Sequence, residues 1–225
     1  MFYIPITSEE AWRSQLADPE KHWRDGYSAK CLAMSWLNAH GMPPKVQLTL
    51  QDSNAPVLYN LECALCFPEH KVQLPGGSRA SQSDIFILGS NKLGLVSIVV
   101  EGKCKESFGE YVNDWLQPTT QGKQERLNYL TSLLGTSPGK VFRIRYQLLH
   151  RTASALVEGS RYFCRSAIVI VHSFDESPES YSDWEQFLSL YGLHSSPNTV
   201  SGPIRLSGID LFFTWVQDTF PEMNH

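Results

Sequence analysis

Asp84, Glu101 and Lys103 are charged side chains set in two runs that are otherwise apolar and rich in β-branched residues. Ser83-Asp84-Ile85-Phe86-Ile87-Leu88 precedes a short polar stretch, and the second run, Leu93 to Val100, ends in Glu101-Gly102-Lys103. Runs of this composition read as central strands covered on both faces. Successive side chains on a strand alternate faces, so Glu101 and Lys103 point one way and Gly102 the other. An antiparallel hairpin with an even-numbered loop within Gly89 to Gly94 puts Asp84 opposite Val99 or Glu101 on that same face, where facing Cβ atoms lie about 4.5–5.5 Å apart. Two carboxylates that close repel unless a cation lies between them. A hard divalent ion, Mg²⁺ with Mn²⁺ as its substitute, suits such oxygen ligands. An ammonium one side chain along can steady a water or the negative charge that builds on a phosphorus under attack. The alternative is a structural charge cluster, in which Lys103 neutralises one carboxylate and the other remains, at several kcal/mol if desolvated.

At these residues the chain resembles the PD-(D/E)XK nuclease superfamily, whose signature is an Asp on one strand and Glu/Asp-x-Lys on the next. Asp84 takes the first position, Glu101 the second and Lys103 the third, with Gly102 as the x; Ser83 stands where the Pro of the signature would be. Val100-Glu101-Gly102-Lys103 with Glu106-Ser107-Phe108-Gly109, and the phrase from Arg145 to Ser154, look like those of a bacterial family assigned to this nuclease-like fold. The resemblance implies a restriction-endonuclease-like core, Asp84 and Glu101 as metal ligands, Lys103 as a catalytic residue, and hydrolysis of phosphodiester bonds in DNA or RNA. It also implies an extra carboxylate from the first core helix, for which Glu62 is the nominee; otherwise Glu62 is an exposed acid on a helix edge. The rival reading is a nuclease-fold module that binds or regulates a partner.

Further residues fall into place around that site. Gln147, His150, Arg151 and Ser154 recur at i, i+3, i+4 and i+7, hence on one helix face; they either face the metal site and a scissile phosphate, with Gln147 catalytic, or form a solvated polar face. Lys140, Arg143, Arg145 and Arg151 occupy a stretch without a single acid, whereas Asp175, Glu176, Glu179, Asp183 and Glu185 crowd the segment that follows. The basic stretch, with His150, is expected to contact a phosphate backbone and the acidic segment to turn away from it. Cys63-x-x-Cys66 with His70 lacks a fourth zinc ligand unless Cys104 supplies it, and packed thiols are the plainer account. Gly135 to Val141 has the wrong spacing for a phosphate-binding loop. His172 ends an apolar run with no nucleophile elbow beside it and reads as a satisfied core histidine.

The elements that must hold these residues are legible in outline. Ser8-Glu9-Glu10 opens a capped helix, a second runs from Ser28 to Gly41, and the alternation of Val46, Leu48 and Leu50 against Lys45, Gln47 and Thr49 predicts a strand. From Asn54 the order is a helix to about Leu65, a strand at His70 to Leu74, the two charged strands, a helix over Gln121 to Leu134, one over Arg145 to Glu158, a strand over Ser166 to Val171, a helix, and a strand over Ile209 to Val216. This is an α/β fold with a mixed central β-sheet flanked by helices. Residues 1–52 form an N-terminal helical extension with one strand, packed on a core of 53–225. At 225 residues with 42% apolar composition the chain suits one compact domain. No run reaches the roughly 18–20 apolar residues that span a bilayer, so no membrane partner is expected. Five cysteines without regular spacing and a start with no basic or apolar signal predict reduced thiols in a cytoplasm. The net charge of −4 gives no global attraction to nucleic acid, so any such contact must be local, and a homodimer or protein partner stays open.

Overall fold

The computed structural model describes residues 6–16, 18–175 and 180–220. Six strands form one sheet in the order β1-β2-β3-β4-β6-β5. The strands are β1 (Glu62–Val72), β2 (Ser81–Asn91), β3 (Gly94–Lys103), β4 (Ser166–Ser173), β5 (Val200–Leu206) and β6 (Ile209–Gln217). β1, β2 and β3 make an antiparallel meander. β3, β4 and β6 run parallel, and β5 pairs antiparallel at the far edge. The fold is thus α/β, a mixed sheet between helical layers.

Each face of the sheet has its own core. One is covered by α6 (Gln121–Leu133), α8 (Tyr146–Arg161) and α9 (Tyr181–Ser189), whose Leu127, Leu130, Leu149, Leu156, Trp184 and Phe187 pack against Phe86, Val99, Val169, Phe213 and Trp215. The other is covered by α1 (Glu9–Arg13), α3 (Ser28–Asn38) and α4 (Pro44–Gln51), with Trp12, Leu32, Trp36, Val46 and Leu50 against Ile85, Ile98, Val100, Ile170 and Phe212. The N-terminal helices are therefore a structural layer, since without them the strand residues on that face would meet water. Short helices α2 (Pro19–His22), α5 (Val112–Trp115) and α7 (Pro138–Val141) and a 3₁₀ turn at Pro56–Leu58 complete the described elements.

Two predicted elements change type. Residues 45–50 lie in α4: Pro44 stands in its first turn, where the fixed φ of proline favours a helix, and the buried positions are Val46, Thr49 and Leu50 while Leu48 is 59% exposed. The alternation of the sequence was compatible with a strand, but burial follows helical spacing. The predicted helix from Asn54 stops after Pro56–Leu58, and Asn60, at φ 50°, turns the chain into β1. Glu62, Cys63 and Cys66 thus lie on a strand. At the other end of β1, Gly76 (φ 79°) lets the turn lie on α6, where a Cβ would come within 2.2 Å of the Arg126 nitrogen. The predicted helices over 121–134 and 145–158 and strands over 166–171 and 209–216 are present. β5 was not foreseen; its exposed, Gly-Pro-interrupted sequence carries no clear alternation.

Candidate active site

A two-residue turn, Lys92-Leu93, closes β2 onto β3 with Asn91 opposite Gly94 and Ile85 opposite Val100. One step further in that register Asp84 faces Glu101. Phe86 and Val99 belong to the core under α8, and alternation puts Asp84, Glu101 and Lys103 on that same face. Gly102 points the other way, where a Cβ would stand 3.3 Å from Leu32 of α3. The backbone nitrogen of Gly102 donates to Asp84 Oδ2 at 2.8 Å, which fixes the carboxylate at the strand mouth.

α8 crosses β3 and brings Gln147 and Arg151 to the same three residues. Lys103 Nζ lies 2.9 Å from Glu101 Oε1 and 3.2 Å from Gln147 Oε1. Gln147 Nε2 donates to Glu101 Oε1 at 2.7 Å, and Arg151 Nε donates to Glu101 Oε2 at 2.5 Å. Arg151 Nη2 stands 3.8 Å from Asp84 Oδ1. Glu101, Lys103 and Arg151 are 3, 4 and 7% exposed; the Asp84 side chain is 22% exposed. Lys103 Nζ also lies 4.6 Å over the ring of Phe108, which holds it in place. Arg151, expected at the substrate, is instead the buried counter-ion that joins the two carboxylates.

The structure places the remaining candidates as follows. His150 Nδ1 lies 2.8 Å from Ser81 Oγ, which also receives a hydrogen bond from Ser154, so the polar stripe of α8 is tied to β2 and is not a solvated face. Arg145 is spent within the fold: its Nε meets Asp183 Oδ2 at 2.8 Å, its Nη1 donates to the Gly109 carbonyl, and its guanidinium lies 3.7 Å over Tyr111. Asp183 belongs to the acidic segment expected to turn away from the basic one, and that expectation is corrected by this pair; Glu176 and Glu179 lie outside the described residues. Lys140 and Arg143 are exposed. Glu62 is removed from the site. It pairs with Ser90, six residues from Asp84 along β2, or roughly 20 Å at about 3.3 Å per residue.

The carboxylate that sequence reasoning missed is Glu69. In β1 it falls between the pairs Pro68 to Ile85 and His70 to Ser83, hence beside Asp84, and its Oε2 accepts from Gln82 Nε2 at 2.6 Å. Its φ of 53° is left-handed, unusual within a strand. The strand expected from His70 starts one residue too late to include it; a strand extended through Glu69 would have aligned it with Asp84.

The zinc set does not assemble. Cys63 and Cys66 pack against the core of the α3 face, whereas His70 stacks on Phe86 on the other. Burial pushes the Cys66 thiol up to about 12, as suits a packed thiol. His172 is a satisfied core histidine: Trp36 donates to its Nδ1 at 3.2 Å and its Nε2 meets Asp218 at 3.1 Å.

Residues 5–220 match the family described as Domain of unknown function (DUF6946). The chain belongs to that family. The match runs from the N-terminal helices through β6, so both helical layers and the charged hairpin fall within the family's extent. No curated protein and no solved structure matches the chain.

The electrostatics of this DUF6946 site are those of a small excess of acid. Glu69, Asp84 and Glu101 face Lys103 and Arg151. Burial alone would push the Glu101 carboxyl up, but Arg151 and Lys103 together hold it below its ordinary value. Asp84 is pushed well up by burial and then by Glu101, despite Arg151. Glu69 is pushed up to about 7, chiefly by burial. Burial, then Arg151, Arg126 and Lys103, hold His150 well down, hence neutral. Among the described residues no three His, Cys, Asp or Glu side chains converge as a ready ligand cage. A pair of carboxylates still fits Mg²⁺, which keeps most of its waters and commonly takes one or two carboxylates. Asp84 and Glu101 would be such a pair, and a cation beside them would ease the crowding of carboxylates that helps to push Asp84 up.

Proposed function

We propose that the chain hydrolyses phosphodiester bonds with a divalent ion held by Asp84 and Glu101. The observation that carries this reading is the convergence of Asp84, Glu101 and Lys103 on one face of a hairpin under α8, with Gln147 hydrogen-bonded to both members of the Glu101 to Lys103 pair. When bound, such an ion polarises a phosphoryl oxygen and lowers the pKa of water. Lys103 is positioned by Glu101, Gln147 and Phe108 so that its ammonium meets the negative charge developing on the phosphoryl oxygens, in a setting that excludes bulk water and strengthens the interaction. Gln147 orients Lys103 through its carbonyl and Glu101 through its amide. Asp84 is the more open of the two proposed ligands, with Glu101 buried behind it. The test is a Mg²⁺ and Mn²⁺ titration at low salt followed by incubation with DNA and RNA of several topologies. Turnover that depends on the ion and vanishes in Asp84→Asn is expected; no turnover on any substrate would withdraw the reading.

A second reading draws on a different observation. Lys103 and Arg151 both reach Glu101, Arg151 also reaches Asp84, and Glu101 already accepts from three donors. A cluster so satisfied suits a nuclease-fold module that binds or regulates a partner without turnover. In that case Asp84→Asn leaves binding of the partner and of metal unchanged.

A further inference from the structure

Lys103, the partner of Glu101, lines a cleft of about 350 Å³ together with Phe108, Tyr146, Gln147, His150 and Arg151. That is near the lower end of the ~300–1,000 Å³ typical of small-ligand pockets. One wall is α8; the other is the loop from Cys104 to Glu110, which is pinned along its length. Glu106 accepts from the backbone nitrogens of Ser28 and Cys104 at 3.0 and 2.9 Å. Phe108 is fully buried against Trp215, Arg145 holds the Gly109 carbonyl at 2.6 Å, and Tyr146 nitrogen donates to the Glu110 carbonyl at 3.0 Å. Opening the cleft would break all of these contacts together.

The charge around the cleft points the same way. A protein that tracks a duplex needs several free cations spaced along the phosphates. Here Arg145 is paired with Asp183, Arg151 and Lys103 with Glu101, and Glu110 stands exposed on the rim. What the cleft offers is local: the N–H groups that Lys103 and Arg151 have left over from their pairing with Glu101, beside the Gln147 amide, for one phosphate, and the rings of Tyr146 and His150 on the α8 side for one base or sugar. The phosphates of a duplex lie on a broad convex surface with their bases held in pairs, so they cannot descend between α8 and the loop.

Resting on the reading of this site as phosphodiester-hydrolysing, we infer that its substrate is an unpaired strand of nucleic acid, a free single strand or a flap, with one nucleotide seated in the cleft between Lys103 and Tyr146. Contact with few phosphates also means weak dependence of binding on salt.

The test has two arms. In the first, Mn²⁺-loaded wild type is incubated with one labelled strand supplied free, as a blunt duplex, and as a duplex with an unpaired flap. Cleavage of the free strand and flap at least about tenfold faster than the blunt duplex is expected, the scale on which one seated base counts. In the second, the same three substrates are titrated into Asp84→Asn and followed by fluorescence anisotropy, with the same order expected. Equal affinity and equal cleavage for the blunt duplex would overturn the inference and leave hydrolysis standing. Preference for the unpaired strand without any turnover would keep the substrate class and withdraw the hydrolysis. Absence of binding to all three overturns the inference.

Discussion

Glu101 accepts hydrogen bonds from Lys103, Gln147 and Arg151 while 3% exposed, so removal of either cation leaves a buried charge short of a partner. Arg151→Gln should destabilise the protein by about 3–5 kcal/mol, the usual cost of breaking a buried pair from one side. If Arg151 holds the place next to the ion, Mn²⁺ should restore a large part of that loss in Arg151→Gln and less in wild type; denaturant midpoints with and without the ion measure it, and equal restoration would place the ion elsewhere. Lys103→Ala should abolish turnover while the Mn²⁺-induced thermal shift persists, because Lys103 is assigned to charge on phosphorus and not to the metal; normal turnover would remove Lys103 from the mechanism. Asp84 and Glu69 bring a pH dependence whose sign is set by their upward shifts. A carboxyl that holds its proton more tightly when folded favours the fold at low pH and loses that contribution as pH rises through its folded value. Metal-free protein should therefore lose stability between the ordinary carboxylate range and about 7, the value for Glu69, and Glu69→Gln should flatten that part of the urea-midpoint profile. An unchanged profile would mean that Glu69 stays ionised beside Asp84.

At the scale of elements, α4 offers the sharpest contrast. A strand over 45–50 would give Val46, Leu48 and Leu50 the same burial, whereas the helix buries Val46 and Leu50 and leaves Leu48 in water. Leu50→Ala should then cost about 2–5 kcal/mol and Leu48→Ala within about 0.5 kcal/mol, read as urea midpoints; equal costs would argue for the strand. The β2–β3 hairpin, α6, α8, β4 and β6 could be read because each carries a long apolar run or a full helical stripe, and hairpin alternation was enough to unite Asp84, Glu101 and Lys103. Residues 45–50 and 54–65 are short, and their apolar spacing fits both periods; Pro44 and the left-handed Asn60 decided them. Glu62 falls in the part of β1 that reads as a helix, and Glu69 falls between that helix and the strand expected from His70, so neither residue's phase could be read. The stripe on α8 was read correctly as one face, but the partner of Arg151 was not, because helix-to-strand contacts depend on packing that no local spacing encodes.

For the whole molecule, a net charge of −4 and the internal pairing of Arg145 and Arg151 leave little long-range attraction to a phosphate backbone. Among the described residues no helix is long and apolar enough to cross a membrane. Lys140 and Arg143, the exposed members of the basic stretch, should each contribute to the salt dependence of nucleic-acid binding by no more than about 0.7 in slope for a single strand, and Arg145→Ala should lower stability through its lost Asp183 pair and leave the slope as it was. Both helical layers converge on the strand that carries Glu101: α3 presses on Gly102 from one side and α8 supplies Gln147 and Arg151 from the other. If Asp84 and Glu101 hold a divalent ion at this buried point, calorimetric titration of Mn²⁺ will show one ion bound by wild type and none by folded Asp84→Asn; equal binding to both, or binding to neither, would rule the metal site out.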